Sequence, residues 1–158
     1  MEERIETTTT TAAARERVRE RLDTSVTIKA APETVWDHLV DAQHLGAWFA
    51  ERVAIDPAPG GAFVFGGRYT PGAPVAVQGV IRRLRSSQEL RFTWPIDGVE
   101  SVVTMTLTAS GGGTRVELMH HAFERIGVGA AKIYDEFAGG WDQRELLALK
   151  RVVDGRAG

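Results

Sequence analysis

Residues 89–122, ELRFTWPIDGVESVVTMTLTASGGGTRVELMHHA, decide the fold, because three strand patterns follow one another here with only short breaks. Each run is rich in β-branched and aromatic residues and alternates apolar with polar side chains, as half-buried strands do. The breaks are the turn signals Asp97-Gly98 and Gly111-Gly112-Gly113. Connections this short join antiparallel neighbours, because a parallel crossover needs about a dozen residues or more. We therefore predict antiparallel strands over about 89–94, 101–109 and 114–122.

The strand pattern also extends towards the N-terminus of this stretch. Three further strands are predicted at about 50–56, 61–66 and 75–84, separated by segments rich in Gly and Pro. Before them, alternation from Thr24 to Ala30 predicts a first strand. Pro32 then begins a short helix that carries Trp36, since proline suits the first helical turn.

Asp41 can cap a second short helix, which runs through Ala47. A long helix is predicted near the C-terminus, at about 130–154, where apolar residues recur at helical spacing. A curved antiparallel sheet needs cover on one face, and this helix is the only predicted element long enough to supply it. The prediction is an α+β helix-grip layout, with about seven strands wrapped round the C-terminal helix.

The N-terminal residues 1–23 are predicted to be an extension to the domain at 24–154. Residues 1–11 have little to bury and are expected to form a tail. Residues 12–23 favour a helix by their Ala, Arg and Glu content. The shared parity of Val18, Leu22 and Val26 also suits an extension of the first strand, so both interpretations stay open.

Composition limits the classes of function. The chain has 158 residues, 43% of them hydrophobic, with 19 basic and 21 acidic side chains and a formal charge of −2. This balance argues against nucleic-acid binding through a basic face. With no cysteine, thiol nucleophiles, disulfides and Cys-based metal sites are excluded. The absence of a long apolar run or a signal-like N-terminus predicts a cytoplasmic protein without membrane association. High Ala, Arg, Gly and Val content is typical of a GC-rich bacterial genome.

The order of elements and six short motifs resemble the helix-grip superfamily, also called START-like or SRPBCC. The closest similarity is to the family named for the activator of the Hsp90 ATPase. The motifs are APETVW (31–36), HLGAWF (44–49), IDPAPGG (55–61), RFTW (91–94), GTRV (113–116) and GGW (139–141). HAFERIG (121–127), together with GGW, is also similar to START-like resistance proteins of enediyne producers, which bind the antibiotic and are sacrificed by its radical chemistry.

The resemblance implies a cavity between the sheet and the C-terminal helix, and the chain offers mainly aromatic side chains to line it. Phe63 and Phe65 share one face of a strand, and the glycines beside Trp141 could leave room for a ligand. The Gly- and Pro-rich loop at 67–74 could carry two more side chains to the cavity mouth. The candidate ligand-binding residues are Trp36, Trp48, Phe63, Phe65, Arg68, Tyr69, Trp94, His120, Phe137, Gly140 and Trp141.

His120 and His121 are adjacent on a strand, so their side chains point to opposite faces and do not share a metal ion. His120 shares parity with Val116 and Leu118 and is expected to face inward. There it could hydrogen-bond a ligand carbonyl or phenol. It is also the one acid/base candidate should a reaction be catalysed, although no catalytic residue is assigned. No metal or dissociable cofactor is expected.

We therefore expect binding or sequestration of a small hydrophobic molecule, aromatic or polyketide-like, without catalysis. Three alternatives come from the resemblance: enediyne resistance by self-sacrifice, a polyketide cyclase-like enzyme, and a module that acts on an Hsp90-type chaperone partner or in a stress response. The absence of the separate N-terminal binding domain of eukaryotic co-chaperones argues against the last.

Overall fold

A computed structural model describes residues 21–66, 77–96, 99–121, 137, 141 and 145–157. The seven strands are β1 (Arg21–Ile28), β2 (Arg52–Ile55), β3 (Ala62–Gly66), β4 (Val77–Arg85), β5 (Glu89–Ile96), β6 (Val99–Ser110) and β7 (Gly113–His121). Helices α1 (Pro32–Val40) and α2 (Ala42–Leu45) lie between β1 and β2, and α3 (Leu146–Ala157) is at the C-terminal end. The α+β prediction with two short helices after the first strand is confirmed.

The strands form one sheet in the order β1-β7-β6-β5-β4-β3-β2, and every neighbouring pair is antiparallel. This arrangement confirms the predicted seven-stranded antiparallel sheet. β1 begins at Arg21, three residues before the predicted start, because Leu22 continues the inward-facing parity and pairs with His120. The division between an N-terminal extension and the domain stays a prediction, and residues 1–20 lie outside the described residues.

Turn chemistry sets the tight connection between β6 and β7. Gly111 and Gly112 have φ angles of 53° and 84°, in the left-handed region that L side chains adopt with strain. The hairpin then places Leu107 opposite Val116 and Val103 opposite His120, so the apolar residues of both strands fall on the same face.

The two short helices begin as their sequences predict. Pro32 occupies the first turn of α1, where its missing N–H removes no helical hydrogen bond. At α2, an Asp41 side-chain oxygen accepts a hydrogen bond from the His44 backbone N–H at 3.0 Å, which caps that helix. Val35 and Leu39 of α1 are fully buried and lie in the core.

The C-terminal helix α3 packs against β1 and α1, with Leu149 and Val153 fully buried. The Lys29 backbone N–H donates to Asp154 Oδ1 at 2.8 Å, and Lys150 Nζ donates to the Thr27 carbonyl at 2.8 Å. These bonds fix α3 beside β1.

The predicted helix over about 130–154 is confirmed from Leu146 onward, and it extends to Ala157. Of the rest, only Phe137, Trp141 and Glu145 are described, with Phe137 α-helical and Trp141 and Glu145 π-helical in backbone. No helix within the described ranges is long and apolar enough to cross a membrane.

Candidate functional site

Eight buried rings on the inner face of the sheet pack into one group, which we call the inner aromatic cluster. Its members are Trp48, Phe49, Phe63, Phe65, Phe92, Trp94, Phe137 and Trp141. Most pairs are tilted or edge-to-face, the geometries that aromatic quadrupoles favour. The cluster joins the sheet to the C-terminal helical segment.

Strand alternation explains how the sheet supplies its share of the cluster. Phe63 and Phe65 are two apart on β3, and Phe92 and Trp94 are two apart on β5, so each pair faces inward. The Phe65 and Trp94 ring centroids are 4.6 Å apart. Phe49 follows α2 and lies at the centre of the cluster.

The Phe49 ring is 4.9 Å from that of Phe65, and it stacks on Trp141 at 5.9 Å with an interplanar angle of 19°. Trp48 is held beside it, because its Nε1–H donates to the His38 carbonyl at 2.7 Å.

A buried chain of hydrogen bonds runs through the cluster. Ser101 Oγ donates to the Trp94 carbonyl oxygen at 2.7 Å, and the same Oγ lies 2.7 Å from His120 Nε2. On the other side of the imidazole, Trp141 Nε1–H donates to His120 Nδ1 at 3.2 Å. Ser101 and His120 are both completely buried. We call these residues the Trp141–His120–Ser101 chain.

The two ends of this chain fix the direction of every hydrogen bond in it. A carbonyl oxygen only accepts, so the single Ser101 hydroxyl proton points to Trp94, and Ser101 must accept from His120 Nε2–H. An indole N–H only donates, so His120 Nδ1 must be the acceptor. His120 is therefore the neutral tautomer with its proton on Nε2.

Burial favours the same neutral form of His120. Desolvation, helped by the nearby charge of His121, lowers the pKa of His120 from 6.5 to about 3. Both imidazole nitrogens are also engaged in the chain. These properties suit a group that holds and orients a polar atom, and they argue against proton transfer near neutral pH.

The interior around the cluster is closely packed. One space of about 10 Å³ lies among the described inner residues; it is lined by Leu39, Leu45, Trp48, Phe49, Phe63, Leu90, Phe92 and Met105. A space of this size holds at most a single water molecule. Around this space, the apolar side chains of the described residues touch one another.

A larger space of about 310 Å³ lies on the opposite, outer face of the sheet, across β1, β7 and β6. Its walls include Asp23, Ser25 and Thr106, together with the exposed Arg115–Glu117 ion pair at 3.0 Å. These polar walls do not suit an apolar ligand. The described residues contain no group of three or more His, Asp, Glu or Cys side chains able to hold a metal ion.

The structure brings together six of the residues singled out from the sequence: Phe63, Phe65, Trp94, His120, Phe137 and Trp141. Trp48 joins them through Phe49. Trp36 is buried on α1, away from the described ring contacts. Arg68, Tyr69 and Gly140 lie outside the described residues.

Sequence reasoning left Phe49 and Ser101 out of the site. Phe49 belongs to the quoted HLGAWF motif, so the Trp-Phe pair was the available signal. Ser101 shares inward parity with Val103 and Met105, and a serine among such residues signals a buried polar group in need of a partner.

The sequence pattern described as "Activator of Hsp90 ATPase homolog 1-like protein" matches residues 29–154, most of the chain. The chain belongs to this family. Its fold is START-like, as the resemblance implied. No curated protein matches the chain.

Solved structures share the fold of this family member. Protein MLL2253 from Mesorhizobium loti has a TM-score of 0.74 at 20% identity, over 85% of this chain and 97% of that one. The Aha1 dimer from Colwellia psychrerythraea has a TM-score of 0.69 at 15% identity, over 87% of this chain and 98% of that one. DynU16, a protein of the dynemicin biosynthetic locus, gives 0.69 at 19% identity, over 85% of this chain and 47% of DynU16.

Proposed function

We propose that this protein binds a small hydrophobic, aromatic molecule between the sheet and the C-terminal helical segment, within the inner aromatic cluster. The observation that carries the proposal is the Trp141–His120–Ser101 chain. It places oriented polar atoms, completely buried, among stacked rings. Apolar walls with a few placed polar groups are the usual composition of a small-molecule site.

The space among the described residues between α1, α2, β3 and β5 measures about 10 Å³, too little for an aromatic ring, so we propose that the ligand takes the place of a side chain of the cluster. The sheet residues of the cluster lie on β3 and β5, and each of these strands has a neighbouring strand on both sides. Phe137 and Trp141 come from the helical segment instead, and the backbone at Trp141 is π-helical. Single π-helical turns are frequent at functional sites. Entry past Trp141 is therefore the route we propose.

The favourable free energy of binding comes from aromatic contacts, because the ligand ring replaces the ring of a side chain. Each well-oriented aromatic pair contributes about 0.5–1.5 kcal/mol beyond the burial of its area. A ligand that takes the position of the Trp141 ring would meet Phe49, Trp94 and the His120 imidazole. Displacing the native ring offsets part of this gain, so we expect moderate affinity for simple aromatics.

Intrinsic fluorescence and calorimetry test the proposal with naphthalene, 1-methylnaphthalene and 1-naphthol as probes. At least one probe should bind saturably and change tryptophan emission. Trp141→Phe should reduce that emission change, whereas the matched control Trp36→Phe should keep it, because Trp36 lies outside the cluster. If no probe binds to the folded wild type, the proposal is wrong.

Self-sacrificing resistance to an enediyne antibiotic is a second candidate, supported by the likeness to a protein of the dynemicin locus. The test is incubation with a reductively activated enediyne, followed by intact-protein mass spectrometry. Cleavage of the chain would support this role, and an unchanged mass alongside degraded control DNA would exclude it.

Activation of an Hsp90-type ATPase is a third candidate, supported by the family description. Here the measurement is the steady-state ATPase rate of a bacterial Hsp90 with and without the chain. An unchanged rate at saturating concentrations would exclude it.

A further inference from the structure

We propose that the inner aromatic cluster selects planar aromatic ligands that carry a hydrogen-bond donor, a phenolic O–H or an aromatic N–H, which takes the place of the Trp141 indole N–H on His120 Nδ1. The inference rests on the proposed function and names the ligand class of the same site. It separates phenols and indole-like heterocycles from quinones, ketones and carboxylates.

The selection follows from the fixed direction of the Trp141–His120–Ser101 chain. Ser101 has one hydroxyl proton and donates it to the Trp94 carbonyl, so the His120 proton stays on Nε2 as long as that bond is kept, and the opposite tautomer would leave the buried Trp94 carbonyl without the Ser101 hydroxyl. Nδ1 then offers a lone pair to any group that replaces Trp141. A ligand carbonyl or carboxylate would place two acceptors against each other in a water-free site. Sites built around a buried hydrogen bond reject analogues that leave the buried group unpaired.

Trp141 is the replaceable member of the chain. Its bond to His120 is 3.2 Å long, against 2.7 Å for each of the two bonds made by Ser101. Ser101 lies opposite Trp94 in the β5–β6 ladder, and His120 lies between Leu22 of β1 and Val103 of β6. Only Trp141 is outside the sheet. Exchange of its indole for a ligand leaves the other hydrogen bonds of the chain intact.

The surroundings of the indole set the shape of the ligand. Phe49 stacks nearly parallel on Trp141, while Trp94 meets it edge-on with centroids 5.9 Å apart. Phe137 packs edge-on against the His120 ring at 4.8 Å. A flat body about the size of indole, with its donor at the edge, reproduces these contacts.

The experiment replaces the side chain by a free molecule. In full-length Trp141→Gly, we expect indole to bind about three- to tenfold more tightly than indene, which has a closely similar shape but no N–H. The matched double variant Trp141→Gly/His120→Leu should bind both with similar affinity. Calorimetry gives the affinities, and near-ultraviolet circular dichroism checks that each variant is folded.

Wild-type protein gives a measurement that does not depend on the stability of the Trp141→Gly variant. It should bind 1-naphthol more tightly than 1-methylnaphthalene by a similar factor. Equal affinities within both pairs would overturn the donor selection and leave the proposed function standing. Failure of naphthalene, 1-methylnaphthalene and 1-naphthol to bind the folded wild type would overturn the proposed function as well.

Discussion

The buried imidazole of His120 should make the protein unusually sensitive to mild acid. Its pKa is about 3 when folded, against 6.5 for an accessible histidine. Between these values the unfolded chain holds a proton on this residue that the native chain lacks, so the free energy of unfolding rises with pH. The contribution of the neutral His120 to the free energy of unfolding is fully present above pH 6.5 and is lost as the pH falls towards 3. Well below pH 6.5 each pH unit is worth about 1.4 kcal/mol, so roughly 2 kcal/mol should be lost between pH 6.5 and 4.5.

His120→Gln isolates this effect, because glutamine retains a donor and an acceptor but does not titrate. At pH 7.5 the variant should be less stable than wild type by about 1–3 kcal/mol, since its hydrogen bonds to Ser101 and Trp141 fit less well. At pH 4.5 the difference should close or reverse. Urea unfolding at half-unit pH steps, followed by fluorescence and circular dichroism, measures both curves.

His121→Gln is the matched control, since His121 is the next residue and points away from the cluster. It should keep most of the acid sensitivity, because its charge is the smaller cause of the lowered pKa of His120. Parallel stability curves for wild type and His120→Gln would refute the reasoning, and would mean that the imidazole stays solvated or charged.

Three further substitutions test the packing of the domain. Gly113→Ala should destabilise the β1–β7 pairing, because the added Cβ would overlap the Ile28 carbonyl oxygen. Gly155→Ala, on the open side of α3, should instead stabilise the protein by about 0.5–1 kcal/mol. Thermal unfolding of both variants measures the difference. Trp48→Phe should cost about 1–3 kcal/mol in urea unfolding, because the buried His38 carbonyl loses its indole donor; an unchanged midpoint would show that this bond contributes nothing.

The local sequence pattern was sufficient to predict the strands of the sheet. Turn signals such as Gly111-Gly112 delimit the strands, and side-chain alternation correctly places His120 inside, where it is completely buried. Both signals are local in the chain, so they could be read without knowing the fold. The inward aromatic residues of β3 and β5 followed from the same alternation.

The Trp141–His120–Ser101 chain could not be predicted in this way. Ser101 meets His120 across strands, and Trp141 reaches it from a different layer, so the contact depends on the three-dimensional packing. The position of Phe49 was equally hidden. It follows α2 and its ring contacts both Phe65 on the sheet and Trp141 in the helical segment. Whether aromatic walls touch or stand apart depends on packing at the scale of single methylene groups.

The position of β1 at the edge of the sheet has a consequence for synthesis on the ribosome. Of the described strands, β1 is made first, yet its one partner in the sheet is β7, which is made last among them. The bond from Thr114 to the Ala30 carbonyl spans 84 positions, and that from Lys29 to Asp154 spans 125. Contacts this distant in sequence form late and slow the folding of a domain. While β2 to β6 are being translated, β1 therefore lacks its partner strand. During this interval the newly made chain is open to aggregation and to capture by chaperones.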